Sequence, residues 1–595
     1  MGTHARSTGA SELRIGGWCV RPALNQISDA ASCRRLEPQV MDLLMFLAAS
    51  GGRVVSKNEL IDAVWEGRFI AEATLTRSIA DLRRALGDTE RERRYIQTIA
   101  KRGYRLIAPV SGVADTAIAR DAAPAPSRQA PEEPPSLVVL PFSNLGPPED
   151  GYFCEGLTEE IINVLTRIAG LRVISRTSAF AAHKDGGDVA AIGRRLGVTH
   201  VIEGSSRRAP GRVRVTAQLV RVGDQGHLWS DRYDRNAGDV FGVQDEIAEA
   251  IARRLELTLG GRARERAAPT SSPEAYSRYL EGRHHFQKGT RESLERAEAC
   301  LGEAVKLDPS FAVAHDALSE VFWYQGFYGL KVPKDAFTQA LWESLRALEI
   351  DDQMGESHAL LAMLRKELDY DWAEVDREFA AARALAPFSP LVRLRYAICG
   401  LMPHGRTAEA AAELERVAEA DPLSLVVLWW LSVMYWFAGD LARMRERTAR
   451  MRELDASHPL TQMALGCLRL SDAEPSEAVT CLEKSVELGG RPPWLVGWLG
   501  LACGLAGRTE QARGLRAELL ARSPAANVAP TALALVALGL GDLDDAFRWL
   551  DRAVDVRDPH VIPLRCYPPL GVLRADARYG ALLARLRLSP ATVSG

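Results

Sequence analysis

No two of the nine cysteines stand in a C-x-x-C pair; they fall singly, at positions such as Cys19, Cys154, Cys300 and Cys503. An odd count at wide spacing excludes a disulfide framework and a thiolate zinc site, and leaves small core residues in a reducing compartment. Also missing is any uninterrupted apolar run of about 18 residues, the length a membrane span needs. The nearest stretch, Leu423 to Gly439, reads as an amphipathic repeat helix. The opening residues, Met1 to Ser11, are polar and lack the apolar h-region of a secretory leader. A cytoplasmic protein without a membrane partner is expected. No Gly-rich loop ends in Gly-Lys-Ser/Thr, so there is no phosphate cradle of the P-loop kind. Nothing supplies a nucleophile–base pair or a set of metal carboxylates, so no enzymatic activity, cofactor or resident metal is expected.

What is present is a chain of 595 residues, 47% hydrophobic and 25% charged, too long for one hydrophobic core. The net charge of −3 conceals an asymmetry. Residues 10–109 hold 16 Lys and Arg against 12 Asp and Glu, so the remainder carries −7. A basic N-terminal module on an acidic body suits a nucleic-acid partner for that module alone. Two breaks divide the chain. Residues 110–135 are rich in Ala and Pro, including Pro124, Pro126, Pro131, Pro134 and Pro135, and cannot bury enough surface to offset their ordering entropy. A second, charged break spans Gly260 to Pro273. The expected plan is a first domain over 10–109, a tether over 110–135, a middle domain over 136–260 and a helical half over 275–590.

In the first domain, short β-like runs at Leu13–Cys19 and Gln26–Ile27 precede a helix opening at Glu37-Pro38 and ending at Gly51-Gly52. Ser56 with Glu59 three residues on is a capping-box signature for a second helix through Leu60, Ile61 and Val64 to Trp65. The segment Ala71–Leu86 places Leu75, Ile79, Leu82 and Leu86 on one apolar stripe. The other face presents Thr74, Arg77, Ser78, Asp81 and Arg84, with Arg83 near the edge. A solvated helix shows such a face too, but Arg and hydroxyl side chains held there also suit guanine acceptors and phosphates of a major groove. A hairpin follows: strand Tyr95–Ile99, a basic turn Ala100–Gly103 and a returning strand Tyr104–Leu106, its tip carrying Lys101 and Arg102. Such a tip can set a cation in the minor groove.

Helix, helix, basic helix and basic hairpin are in winged-helix order. Residues 13–107 resemble the effector domain of the OmpR/PhoB type, in the N-terminal placement of CadC-like regulators. The resemblance is carried by Val55-Ser56-Lys57-Asn58-Glu59-Leu60, Val64-Trp65, Ile79 with Leu82-Arg83-Arg84-Ala85-Leu86-Gly87-Asp88, and Tyr95-Ile96-Gln97-Thr98 with Lys101-Arg102-Gly103-Tyr104-Arg105. It implies DNA contacts at Thr74, Arg77, Ser78, Asp81, Arg83 and Arg84 on the recognition helix, and at Thr98, Lys101 and Arg102 on the wing. Asp81 departs from the usually more basic face; it either accepts from a cytosine amino group or pairs with Arg77 or Arg84. Two-component members carry a phosphoacceptor receiver before this domain. Only a dozen residues precede it here, so the input is expected from the C-terminal side.

The middle domain alternates strand and helix: strand Leu137–Phe142, helix Leu157–Ile168, strand Leu171–Ile174, helix Val189–Leu196 and a strand through Val201–Gly204. A hairpin of Val213–Val222 and His227–Tyr233 turns about Gly223-Asp224, and a helix Val243–Leu257 closes the unit. It resembles the TolB-amino-terminal-like domain found beside repeat arrays in bacterial regulators and some adenylate cyclases. That match rests on Val139-Leu140-Pro141-Phe142, Gly156-Leu157-Thr158-Glu159-Glu160, Leu196-Gly197-Val198, Val201-Ile202-Glu203-Gly204, and Leu228-Trp229-Ser230 with Tyr233-Asp234. Asp231, Asp234 and Asp239 either hold a cation or, the commoner role, serve as turn and cap residues; His200 reads as structural, and His227 and Trp229 either line a pocket or pack, the latter the commoner role.

From Ala275 onward helix pairs recur at roughly 34 to 37 residues, the tetratricopeptide period, lengthened around Asp316–Asp351, for seven or eight units. Proline marks the junctions at Pro309, Pro387, Pro422, Pro459, Pro492-Pro493 and Pro524. Stacked units give a superhelix whose concave face suits an extended peptide or partner protein. Trp429-Trp430, Tyr435, Trp436, Trp494 and Trp498 line that groove or fill inter-repeat core, the latter the commoner role. Adjacent His284 and His285 lack ligand spacing, and no metal is expected there. The fold class is thus multidomain α+β: N-terminal winged helix, middle α/β sheet, C-terminal all-α superhelix. The expected partners are double-stranded DNA and either a protein or a second copy bound through the repeats. The alternative is a repeat scaffold whose winged helix no longer binds DNA specifically.

Overall fold

The computed structural model describes residues 13–22, 25–29, 32–50, 53–65, 72–88, 94–99 and 102–112 near the N-terminus. Beyond them it describes 135–589, apart from 169, 210–211, 225, 237–239, 256–269 and 523–529. The Gly51-Gly52 helix stop, most of the 110–135 tether, most of the Gly260–Pro273 break, Lys101, Asp239 and Pro524 lie outside the described residues. The chain forms two compact units, 1–129 and 130–595.

The first unit opens with strands β1 (Leu13–Ile15), β2 (Trp18–Arg21), β3 (Gln26–Ser28) and β4 (Cys33–Arg35). Helices α1 (Pro38–Ala49), α2 (Lys57–Trp65) and α3 (Glu72–Leu86) follow, then the hairpin β5 (Ile96–Ile99) and β6 (Gly103–Leu106), and β7 (Val110–Gly112). The strand β7 returns to pair antiparallel with β1, making a sheet in the order β4-β3-β2-β1-β7. One core joins Ile15, Trp18, Val20 and Ile27 of the sheet to Leu43, Leu44 and Leu47 of α1 and to the α3 stripe Leu75, Ile79, Leu82 and Leu86. Ser56 caps α2 as its spacing predicts, accepting from the Glu59 backbone N–H at 3.2 Å. The Glu59 carboxylate takes Arg53 at 2.5 Å.

The second unit begins with β8 (Ser136–Val139), β9 (Ser143–Asn144), α4 (Gly151–Leu165), β10 (Arg172–Val173), α5 (Arg176–Lys184) and α6 (Val189–Arg195). Then come β11 (His200–Ala209), β12 (Arg212–Arg221), β13 (His227–Asn236) and α7 (Val240–Arg254). The sheet order is β10-β8-β11-β12-β13, parallel on the first side and antiparallel from β11 onward. Alternation along β8 sends Leu137 and Val139 to one core with α4 and α7, and Val138 and Leu140 to another with α5 and α6. The sheet is therefore covered on both faces at β8, which is why that strand reads as a continuous apolar run, whereas β12 alternates buried with exposed residues.

Among the described residues eight helix pairs follow. Their members are α8 (Pro273–Phe286) with α9 (Arg291–Leu307), α10 (Ala312–Phe327) with α11 (Pro333–Ile350), and α12 (Gly355–Leu368) with α13 (Trp372–Leu385). Next are α14 (Pro390–Arg395) with α15 (Thr407–Ala420), α16 (Leu425–Phe437) with α17 (Leu441–Leu454), and α18 (Pro459–Ser471) with α19 (Pro475–Leu488). The last two are α20 (Pro493–Leu505) with α21 (Thr509–Ala521), and α22 (Pro530–Gly539) with α23 (Leu543–Val556). Helix α14 continues through a π-helical turn, Tyr396–Leu401. Proline opens several helices at their first turn, where its missing N–H is no loss. First helices of neighbouring pairs approach closely: a Cβ on Gly504 of α20 would lie 2.1 Å from the Gly539 carbonyl oxygen of α22.

The sheet layer is joined to the array. Its α4–α7 core continues through Tyr276, Tyr279 and Leu280 of α8 into Leu301 and Phe311. Arg283 of α8 bridges Glu159 of α4 at 2.5 Å and Glu320 of α10 at 2.8 Å, and Glu320 also holds Arg395 of α14 at 2.5 Å. A second junction lies at the α15–α16 corner. There Asp421 accepts from the backbone N–H (3.1 Å) and hydroxyl (2.6 Å) of Ser178 in α5, and the Ser175 N–H donates to the Ala420 carbonyl at 2.8 Å. Burial pushes the Asp421 carboxyl up to about 6.

After α23 the chain turns back along the inner, first-helix side of the array, ending in α24 (Gly571–Ala575) and α25 (Arg578–Arg585). His560 packs against Phe327 of α10 with ring centroids 4.8 Å apart, and Tyr567 against Trp436 of α16 and Trp498 of α20 at 5.4 and 4.6 Å. Arg565 donates to the Pro403 carbonyl at 2.6 Å, and the Trp372 indole to that of Leu586 at 3.0 Å. The concave face that the repeat pattern opens to a peptide is thus crossed by the chain's own last residues. Among the described residues no helix is long and apolar enough to cross a membrane.

Candidate nucleic-acid interface

The α3 helix is fixed on its buried side by four fully buried aliphatic residues and at its end by polar contacts from the sheet. Trp18 donates its indole N–H to the Leu86 carbonyl at 3.0 Å. Arg34 stacks over Trp18 at 5.2 Å and donates to the carbonyls of Arg84 (3.2 Å) and Ala85 (2.9 Å). These carbonyls have no partner within the helix, and a cation is favourable at that dipole end. Gly87, at φ +81°, ends the helix in the left-handed region.

Asp88 then sets the wing. Its carboxylate accepts from three successive backbone N–H groups, of Arg94 (2.7 Å), Tyr95 (2.9 Å) and Ile96 (2.9 Å), so β5 leaves the end of α3 in one direction. Arg83 makes a second fastening, donating to the Ile96 carbonyl at 3.0 Å and to Thr98 Oγ1 at 2.7 Å, with its guanidinium 5.9 Å from the Tyr104 ring. The returning strand is held to the body by reciprocal backbone bonds between Val55 and Tyr104, at 2.8 and 2.9 Å. Gly103 is required there: its φ is +132°, and a Cβ would lie 1.9 Å from the Val55 carbonyl oxygen.

On this frame Thr74, Arg77 and Arg84 are exposed, and Ser78 and Asp81 are half-buried at the same face. Thr74, Arg77, Asp81 and Arg84 follow one another at intervals of three and four, hence one stripe opposite the buried one. Asp81 pairs with Arg84 at 3.0 Å, while the Arg84 side chain stays 79% exposed. Of the wing residues Thr98 and Arg102 are exposed. The stripe and the wing are thus brought onto one fixed frame. Arg83 differs from the rest, because its Nη2 donates to the wing, at the Ile96 carbonyl and Thr98 Oγ1. Its position at the edge of the polar face was the one hint of this in the sequence.

Residues 32–106 match the family described as "Transcriptional regulatory protein, C terminal". "Transcriptional activator CadC" of Escherichia coli (strain K12) is 43% identical over 99 residues, which is 16% of this chain and 19% of that protein. The solved "DNA binding domain of E. coli CadC" is 42% identical, covers 17% of this chain and 96% of that one, and gives a TM-score of 0.17. "Transcriptional regulator HilA" of Salmonella typhi is 25% identical over 411 residues, 68% of this chain and 70% of that protein. A protein of Rhizobium meliloti (strain 1021) named "Putative adenylate cyclase 3" is 38% identical over 234 residues, 38% of this chain and 40% of its own length. This chain thus spans less than half of the length of the adenylate-cyclase-named relative and of the activator. The N-terminal unit is an OmpR/PhoB-type winged-helix domain, and it stands in one chain with a sheet domain and a helical-repeat array.

Outside this interface, the acidic residues near the β12–β13 hairpin form local bonds. Asp234 pairs with Arg212 at 3.0 Å and Arg214 at 2.7 Å, and Asp231 accepts from the Arg232 N–H at 2.7 Å. Packing of α8 on α9 brings together Glu281, His285 and Cys300, their ligand atoms within 4.8 Å of one another. This corrects the expectation that His285 has no carboxylate or cysteine partner in reach: Glu281 stands four residues before it on the same helix, and the cysteine comes from the next helix. Glu281 also pairs with Arg278 at 2.9 Å. His284 faces the other way, its Nδ1 3.1 Å from Glu155.

Proposed function

We propose that this chain is a cytoplasmic transcription regulator that binds promoter DNA through its winged helix and is controlled through its sheet and repeat domains. One observation carries the reading: a polar stripe with two exposed arginines, Arg77 and Arg84, on a helix locked in place by its other face and by the wing. In this reading Thr74, Arg77, Ser78 and Arg84 contact bases and phosphates of a major groove, and Thr98, Lys101 and Arg102 reach the backbone or minor groove beside it. Asp81 orients Arg84. Arg83 acts through the wing that it positions. A protein partner or a second copy bound through the body would bring two winged helices to two half-sites, raising affinity without new contacts.

A second reading, a protein-interaction scaffold with a winged helix that does not read DNA, is favoured by the Asp81–Arg84 pair, which offsets one of the stripe's charges. The two separate in one titration. Full-length protein is added to a fluorescent duplex of its own upstream region and to a scrambled duplex, at two salt concentrations. Preference for the upstream duplex, with steep salt dependence reduced in Arg77→Ala and Arg102→Ala, supports the regulator. Binding indifferent to sequence and to both substitutions supports the scaffold.

A further inference from the structure

The meeting of Glu281, His285 and Cys300 has a chemistry that no part of the DNA-binding reading uses. Glu281 and His285 stand four residues apart on α8 and so share one face of it. The packing of α9 adds Cys300, and one ligand atom from each side chain lies within 4.8 Å of the other two. Among the described residues this is the one such group of three His, Cys, Asp or Glu side chains. Around a tetrahedral zinc ion, bond lengths of about 2.0–2.3 Å put ligand atoms about 3.3–3.6 Å apart. The gap is therefore closed by side-chain rotation on helices already in place. Glu281 and His285 are partly exposed, so a cation reaches the site from solvent.

The three groups are free to ligate. Neither the His285 ring nor the Cys300 thiol has a hydrogen-bond partner among the described residues. Burial, helped by Lys288 and His284, holds the His285 ring below its usual range, so a nitrogen lone pair is present at neutral pH. Arg278 donates from Nη1 to Oε2 of Glu281 at 2.9 Å and leaves Oε1 open, the arrangement of a carboxylate ligand oriented from behind. The nearby guanidinium groups have acidic partners of their own, Arg278 at Glu303 (3.0 Å) and Arg296 at Glu292 (2.8 Å). One sulfur, one nitrogen and one oxygen donor select the cation. Calcium and magnesium take oxygen ligands, whereas zinc accepts all three types.

We propose that Glu281, His285 and Cys300 bind a zinc ion, with a fourth position left to water or an outside ligand. The Cys300 thiol, which burial pushes up to about 11, gives its proton to solvent as its sulfur takes the metal. The ion would clip α8 to α9 on the helix whose Arg283 and His284 reach Glu159 and Glu155 of the sheet layer. The site is independent of the DNA-binding reading. Full-length, reduced protein is titrated with cobalt(II) as a spectroscopic stand-in and read by absorbance. The expected result is a sulfur-to-cobalt charge-transfer band that saturates at one equivalent per chain, disappears on adding zinc and survives excess calcium or magnesium. Cys300→Ser abolishes the band, and His285→Gln and Glu281→Gln each weaken cobalt by about tenfold or more, with the circular dichroism of the parent. The absence of the band in the wild-type protein overturns the proposal without any variant. A band retained in Cys300→Ser assigns the metal to another cysteine, and one indifferent to both other substitutions assigns it to a thiol alone; either result overturns the site.

Discussion

Arg83 and Arg84 are neighbours on α3 with opposite assignments, and replacing each by alanine separates them. Arg83 loses two hydrogen bonds, to the Ile96 carbonyl and Thr98 Oγ1, and its contact with Tyr104. A charge-assisted hydrogen bond is worth about 1.5–3 kcal/mol where buried and less where water competes. Because Thr98 is exposed, about 1.5 kcal/mol for the whole set is the reasonable expectation. In a domain near 100 residues that lowers the melting temperature by roughly 6–12 °C. Arg84 loses one exposed ion pair, worth about 0–1 kcal/mol and screened by salt, so its melting temperature barely moves. On DNA the order reverses. A lost phosphate contact reduces the slope of log affinity against log salt by about 0.9. Arg84→Ala therefore flattens the slope, while Arg83→Ala weakens binding with the slope retained. The assay is circular dichroism melting of residues 1–112 beside fluorescence anisotropy of the full chain at four salt concentrations. Equal melting temperatures for the two variants, or a flattened slope in Arg83→Ala alone, would refute the division of roles.

Asp421→Asn should make stability less pH-dependent. The buried carboxyl titrates near 6 when folded against an ordinary 3.8, so the folded state binds more protons between those values and stability falls as pH rises through the window. Asparagine keeps the acceptor for Ser178 and removes the charge. The variant should gain about 1–3 kcal/mol over the parent between pH 4 and pH 7, read by urea unfolding; an equal change at both pH values would show that charge is not the cause. Gly103→Ala drives a methyl into the Val55 carbonyl and should cost more than about 3 kcal/mol. The folded fraction of the winged helix by near-ultraviolet circular dichroism checks it, and a melting curve like the parent's would contradict the wing geometry. Arg565→Ala leaves the Pro403 carbonyl without its buried donor and should cost about 1–3 kcal/mol. The loss should appear as faster proteolysis of the C-terminal segment.

Elements with strong local periodicity were legible in the sequence. The α3 stripe, the two-residue alternation of β12, and the proline-marked repeat junctions each carry their signal within a few turns of chain. Helix α5, Arg176–Lys184, escaped that reading because its short, mixed sequence has no clean apolar face. One of its anchors, the Ser178–Asp421 bond, joins residues 243 apart in the chain. Strand β7 escaped because Val110–Gly112 is strand only by pairing with β1. At the interface, the exposed and buried faces of α3 followed from spacing alone. The spending of Arg83 on Thr98 depended on where Asp88 aims the hairpin, which no window of sequence contains.

The return of the C-terminal segment also changes how the array can come apart. A stack whose units touch only their neighbours frays from its ends, one unit at a time. Here residues beyond α23 reach back to Phe327, Trp372 and Pro403, in the second, third and fourth pairs. The stack is tied into a ring, and its last unit cannot leave without breaking contacts near its first. Opening becomes concerted for the pairs inside the ring, and the number of units becomes locked. A duplicated or deleted pair, which an open solenoid tolerates, would here carry the closing segment out of reach of its partners.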